Sequence, residues 1–204
     1  LTAKSTMRDI HDYCVQNDKF SLAQGMIEIA PPKVLVDLIH ELIADPTKNE
    51  VIHTYRKRYG EEDYLNSIQF ILEKRFGVKV TTKQLLATAG VTGGIVSSFS
   101  HLSRLQHPAT GKARLGLVEP FYTYHLTQSS LFYPKDDIVF IKPNSDLSIN
   151  LENVRKSIHD EHLTTILVTN PGNPSGLVLS KDTLTQLVAI CEEAKCYLIL
   201  DEVY

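Results

Sequence analysis

Cysteine is scarce in this sequence: its 204 residues contain three, Cys14, Cys191 and Cys196. An odd number without metal-ligand spacing excludes a disulfide scaffold and is read as reduced thiols in a cytoplasmic protein. Long apolar runs are missing too. None approaches the roughly 20 residues of a membrane-crossing helix, and the first residues carry no signal-peptide core. Neither sign of charge predominates, since 21 Lys and Arg stand against 24 Asp and Glu, a net charge of -3. That leaves no basic stripe for nucleic acid and no attraction to a membrane surface. Internal repeats and low-complexity segments are absent. His159 and His162 flank Asp160 and Glu161, a superficially metal-like group that is read as a solvated helix end.

What the sequence contains is an alternation of short apolar runs and amphipathic stretches. A helix is expected from about Ala3 to Asn17, with Met7, Ile10 and Cys14 on one face. Phe20 to Gly25 reads as a short extended piece. Pro31-Pro32 opens a helix whose apolar residues Leu35, Leu38, Ile39 and Leu42 recur at helical spacing, and Asp45-Pro46 ends it. Leu65, Ile68 and Leu72 mark another helix, which stops at Gly77. Strands are expected at Leu85–Thr88, Leu115–Val118, Ile138–Ile141, Ile166–Val168 and Tyr197–Leu200, with helical stripes between them. Asn150 is placed as the N-cap of the helix marked by Leu151, Val154 and Ile158. Repeated strand–helix alternation predicts an α/β fold of three layers, a mostly parallel sheet with helices on both faces.

The chemistry gathers at the strand ends. Ile166-Leu167-Val168 breaks into Thr169-Asn170-Pro171-Gly172-Asn173-Pro174-Ser175-Gly176, and the Tyr197 run delivers Asp201-Glu202-Val203-Tyr204. Ligands of open α/β sheets sit in the crevice outside the carboxyl ends of the strands. Asn170, Asn173 and Asp201 therefore fall where chemistry happens, although Asn-Pro turns are also common loop pieces. Gly90 to Gly94 read as a glycine-rich turn ahead of a helix. Its N–H groups and the Thr92 hydroxyl suit a phosphate, while the same glycines would also serve close helix–sheet packing. Neither the dinucleotide nor the nucleoside-triphosphate fingerprint is present. Tyr122, just past the Leu115 strand, is an aromatic plate for a flat ligand or a rim aromatic. Together these are a phosphate cradle, an aromatic, an amide, a carboxylate and a phenol, a set suited to a flat, phosphorylated heteroaromatic cofactor.

From about Phe20 to Tyr204 the sequence resembles the class I/II aminotransferases, the fold-type I enzymes that use pyridoxal 5′-phosphate (PLP). Asn170-Pro171-Gly172-Asn173-Pro174-Ser175-Gly176 followed by Asp201-Glu202-Val203-Tyr204 carries the likeness. The resemblance implies that Asp201 pairs with the pyridine nitrogen, that Tyr204 and Asn173 bond the phenolic oxygen, and that Tyr122 stacks on the ring. It implies that Gly90, Val91 and Thr92 form the phosphate loop, that Tyr55 reaches the phosphate of a partner subunit's cofactor, and that Gly25 lies near the substrate carboxylate. Thr123 stands where the family usually has proline, and Ala23 where it usually has glycine. The implied substrates are an amino acid and a 2-oxo acid, and the implied assembly is a homodimer. Residues 1–31 would belong to the small domain and 32–204 to the cofactor-binding large domain.

The family's Schiff-base lysine follows the D-E-V-Y segment by a few dozen residues, and this chain stops at Tyr204. Lys181 follows Ser180 at the start of a helix and is read as a solvated first-turn lysine. The chain is thus expected to be an N-terminal half, inactive alone. Three alternatives share these motifs: another fold-type I activity such as a C–S lyase or ring-forming synthase, a regulatory protein with an aminotransferase-like sensor domain, and a non-catalytic binding module. The regulatory reading needs a helix-turn-helix ahead of the likeness, and about twenty residues there are too few for one.

Overall fold

The computed structural model describes residues 6–23, 25 and 29–204. The chain divides into two compact units, Leu1–Arg56 and Lys57–Tyr204. In the first, α1 spans Thr6–Gln16, α2 Lys33–Ala44 and α3 Glu50–His53; the Ala3–Ser5 part of the expected first helix lies outside the described residues. Pro32 precedes α2 with φ -56, the value its ring imposes and a helix start accepts. The apolar stripe of α2 forms as its spacing predicts, but no residue of α2 is buried.

In the second unit, α4 (Glu62–Phe76) carries Glu62 and Asp63 in its first turn and Lys74 and Arg75 in its last, each complementing the helix dipole. It stops at Gly77, whose φ of 67 and N–H bond to the Glu73 carbonyl form a left-handed cap. A 3-10 turn, Thr82–Gln84, follows. The strand expected at Leu85–Thr88 does not form. Those residues are irregular; apart from local turn bonds they are tied by Ala87 N–H to the Tyr59 carbonyl at 2.9 Å. An apolar run becomes a strand only where a neighbour pairs its backbone, and none of the described strands lies beside it. The chain then enters α5 (Gly90–Leu102) directly. Gly90 to Gly94 are therefore the first turns of that helix rather than a loop ahead of it, with Gly90 at φ 67.

Four strands make one parallel sheet: β1 Leu115–Val118, β2 Ile138–Ile141, β3 Thr165–Thr169 and β4 Tyr197–Asp201, ordered β2-β1-β3-β4. The crossovers run through α6 (Thr123–Ser129), α7 (Leu151–Asp160) and α8 (Lys181–Ala194). Successive strand residues face opposite sides, and each side has its own core. Leu115, Leu117, Ile138, Leu167 and Ile199 pack with Ile95 and Phe99 of α5. Val118, Ile141, Ile166, Val168, Leu198 and Leu200 pack with Val154 and Ile158 of α7 and Leu187 and Ile190 of α8. Gly116 allows α7's side to close: a Cβ there would lie 2.8 Å from Leu163 Cδ1 and 2.9 Å from Ile141 Cδ1. The start of α7 is capped as the sequence indicates, and that of α8 by a serine that the sequence reading did not assign. Asn150 Oδ1 accepts from Asn153 N–H at 2.9 Å, and Ser180 Oγ accepts from Thr183 N–H at 3.1 Å. Lys181 is the exposed first residue of α8. Among the described residues no helix is long and apolar enough to cross a membrane.

Candidate active site

From β1 the chain turns to β2 on one side, and from β3 to β4 on the other. The carboxyl ends of β1 and β3 thus flank a topological switch point, the place where open sheets bind ligands. Asp201 closes β4, in register with Thr169 at the end of β3. It has the same parity as Ile199, so its side chain joins the α5 side of the sheet. There Asp201 Oδ2 lies 3.0 Å from Nε2 of His125 on α6, both residues buried. Burial holds the imidazole of His125 below its ordinary pKa, and the adjacent Asp201 charge pulls the other way without reversing it. A neutral ring facing an acceptor-only carboxylate donates from Nε2. Asp201 Oδ1 is also buried and has no hydrogen-bond partner among the described residues.

The loop after β3 is held by its own backbone. Asn170 N–H donates to the Asp201 carbonyl at 2.9 Å, while Asn170 Oδ1 accepts from Leu179 N–H at 2.8 Å. Asn170 is therefore a loop staple. Gly172 N–H bonds the Leu177 carbonyl, and Gly176 N–H bonds the Gly172 carbonyl. A Cβ on Gly172 would collide with the Ser175 hydroxyl. The peptide bonds Glu119–Pro120, Asn170–Pro171 and Asn173–Pro174 are cis. This frame presents Asn173, whose Nδ2 donates to the Tyr204 hydroxyl oxygen at 2.8 Å. Because that oxygen accepts here, the Tyr204 proton is free to point elsewhere, and Asn173 keeps a second N–H. The pair offers two donors to one acceptor.

Tyr122 caps the start of α6, and its carbonyl accepts from His125 N–H at 2.9 Å. Its ring meets His125 edge-on at a centroid distance of 5.6 Å and lies 5.2 Å from the Tyr124 ring. Gly90, Val91 and Thr92 form the exposed first turn of α5, where the leading N–H groups have no carbonyl within the helix. No side chain caps that turn. Gly25 and Tyr55 belong to the first unit and are exposed. The site therefore brings together Asp201 with His125, His125 with Tyr122, and Asn173 with Tyr204. Of these, His125 is the residue that sequence reasoning missed. Its contact with Asp201 spans 76 residues of chain, so no local pattern marks it.

A carboxylate with one buried oxygen uncommitted fits a cationic ring N–H, and the paired amide and phenol fit an anionic oxygen, so the donor set suits a protonated pyridine with a phenolate. An aromatic aminotransferase from Arabidopsis thaliana is 26% identical over 188 residues, 90% of this chain and 44% of that protein. An S-alkyl-thiohydroximate lyase from the same plant is 32% identical over 126 residues, 62% of this chain and 26% of that protein. N-Succinyldiaminopimelate aminotransferase from Mycobacterium tuberculosis superposes with a TM-score of 0.83 at 20% identity, over 99% of this chain and 50% of that one. The chain spans about half the length, or less, of these proteins. The family described as aminotransferase class I and II matches residues 18–204, and the chain belongs to that family.

Proposed function

We propose that this chain supplies the ring-binding half of a PLP-dependent aminotransferase, which moves an amino group between an amino acid and a 2-oxo acid. The observation that carries this reading is the buried, uncommitted Oδ1 of Asp201 at the end of β4, the strand that leads to the Asn173-bonded Tyr204. When bound, PLP supplies an electron sink for bonds at the substrate's α-carbon. The residues here do the rest. Asp201 holds a positive charge at the ring nitrogen, because an opposite charge favours the charged form, and His125 fixes the carboxylate from behind. Asn173 and Tyr204 donate to the phenolic oxygen, and Tyr122 packs on the ring. Gly90, Val91 and Thr92 offer N–H groups and a hydroxyl to the phosphate. Tyr55 from a second copy and Gly25, near the substrate carboxylate, complete the assignment, which makes the working enzyme a homodimer. Residues 1–31 belong to its small domain and 32–204 to its large domain, and it works in the cytoplasm. The Schiff-base lysine is supplied from outside these residues, so this chain alone transfers no amino group.

Equilibrium dialysis of PLP against the 204-residue chain tests the assignment. Binding should weaken at least tenfold in Asp201→Ala, with the circular dichroism spectrum unchanged. Equal affinity in the two proteins would remove Asp201 from the site. A second reading, carbon–sulfur bond cleavage, is favoured by the likeness to the Arabidopsis lyase. Release of thiol from a cysteine conjugate by the whole enzyme, without a 2-oxo acid acceptor, would select it.

A further inference from the structure

The geometry points to a reversible dithiol at the end of α8, in which Cys191 and Cys196 close to a disulfide under a low-molecular-weight disulfide oxidant. The turn that ends α8 brings them together. Lys195 takes the left-handed conformation, φ 53 and ψ 36. Its N–H reaches the Glu192 carbonyl at 3.1 Å, and Cys196 N–H reaches the Cys191 carbonyl at 2.9 Å. These two bonds define a Schellman cap, in which the third residue from the helix end and the second residue beyond it hold their side chains in contact. Here those two positions are both cysteine. One N–H···O bond of 2.9 Å joins their backbones directly, and a disulfide asks for α-carbons roughly 4.4–6.8 Å apart.

Both thiols are free and buried, in the same core cluster. Glu192, Glu193, Ala194, Lys195 and Tyr197 around them are exposed, so the pair lies one layer beneath the surface at a helix end, where local opening is easiest. Cys196 Sγ now faces the Tyr197 carbonyl at 3.8 Å, a contact it gives up when the bond forms. The thiols are not equivalent. The neighbouring Cys196 thiol lowers the pKa of Cys191, while Cys191 and burial push Cys196 up. Cys191 therefore attacks first. Its thiolate takes one sulfur of the oxidant and expels the other as a thiol. Cys196, losing its proton, then attacks the Cys191 sulfur and expels the second thiol. Two S–H bonds are lost, one S–S bond forms, and the oxidant disulfide leaves as two thiols. The tie would join α8 to the start of β4, the strand that ends at Asp201.

Lys195 makes the bond easy to read, because trypsin cleavage there leaves the two cysteines on separate peptides, 182–195 and 196–204. The 204-residue chain is equilibrated with reduced and oxidised glutathione, folded and in concentrated urea, then acid-quenched, alkylated and digested. The expected result is a linked 182–195/196–204 pair that reductant separates, with an equilibrium constant for oxidation at least tenfold larger in the folded chain than in urea. A constant equal to or smaller than the value in urea would mean the fold opposes the bond, and would overturn the proposal. Oxidation confined to Cys14, appearing as a concentration-dependent disulfide dimer, would overturn it too.

Discussion

The buried His125–Asp201 pair makes the stability of this chain depend on pH in a direction that can be worked out. In the folded chain burial keeps His125 neutral to lower pH than its ordinary value of 6.5. In the unfolded chain the same imidazole takes up a proton near 6.5. Below that pH the unfolded state binds more protons than the folded one, so folding stability rises with pH. The contribution is complete above 6.5 and is lost as pH falls from there toward the depressed folded value. The slope is at most about 1.4 kcal/mol for each pH unit, the free energy of one proton equivalent. Between pH 7.5 and 5.5 most of the change falls in the last unit, and the slope caps the loss at about 1.4 kcal/mol, a large share of an ordinary domain's margin. The perturbation is His125→Gln, whose amide can still donate to Asp201 Oδ2 but does not titrate. Urea unfolding of both proteins at the two pH values gives the difference of differences. The wild type should lose more than the variant on acidification, by up to about 1.4 kcal/mol. Equal losses would show that His125 is not neutral and buried. A wild type that gains stability relative to the variant would mean the ring is a cation held by Asp201, the opposite sign.

Two other predictions concern the sheet. Gly116→Val forces side-chain atoms against Leu163, Ile141 and Ile166, and should lower the urea midpoint by an amount equivalent to about 1–3 kcal/mol of overpacking; an unchanged midpoint would show that this side of the sheet is loosely filled. The outer edge of β4 has no partner among the described strands, and Tyr197 on it is exposed. The 204-residue chain should therefore self-associate, seen as a sedimentation coefficient that rises with concentration, and a constant monomer value with β4 amides protected from exchange would refute this.

The parts of the fold that could be read in advance are those that one segment decides alone. Leu115–Val118 and Ile166–Val168 are short apolar runs whose continuity signals burial on both faces, and both lie in strands buried along these residues. Gly77 and Asn150 mark helix ends by local hydrogen bonding, so their roles survive any tertiary context. Leu85–Thr88 shows where local reading stops, since its apolar run depends on a neighbouring strand that the described residues do not supply. The site divides the same way. Asp201, Asn173 and Tyr204 stand at abrupt apolar-to-polar boundaries and were visible in sequence. The partner of Asp201, His125, lies 76 residues earlier in the chain, and no local pattern records a contact made by a sheet crossover. Asn170 looked equivalent to Asn173, yet its side chain is spent on the loop backbone.

What places the carboxylate is the core. Leu198 and Leu200 belong to the α7–α8 side, and Ile199 to the α5 side. This alternation fixes which face every residue of β4 presents, and pairing with β3 fixes how far along the sheet it sits. A slip of one residue would put leucines against α5 and turn Asp201 away from His125, because side chains alternate with a period of two. The wrong register would leave a buried carboxylate without its donor and apolar side chains without their pockets at once. The two penalties reinforce each other, and neither requires a ligand. Asp201 is therefore set, with one oxygen committed to His125 and the other open, by the same alternation of Leu and Ile that makes β4 a strand.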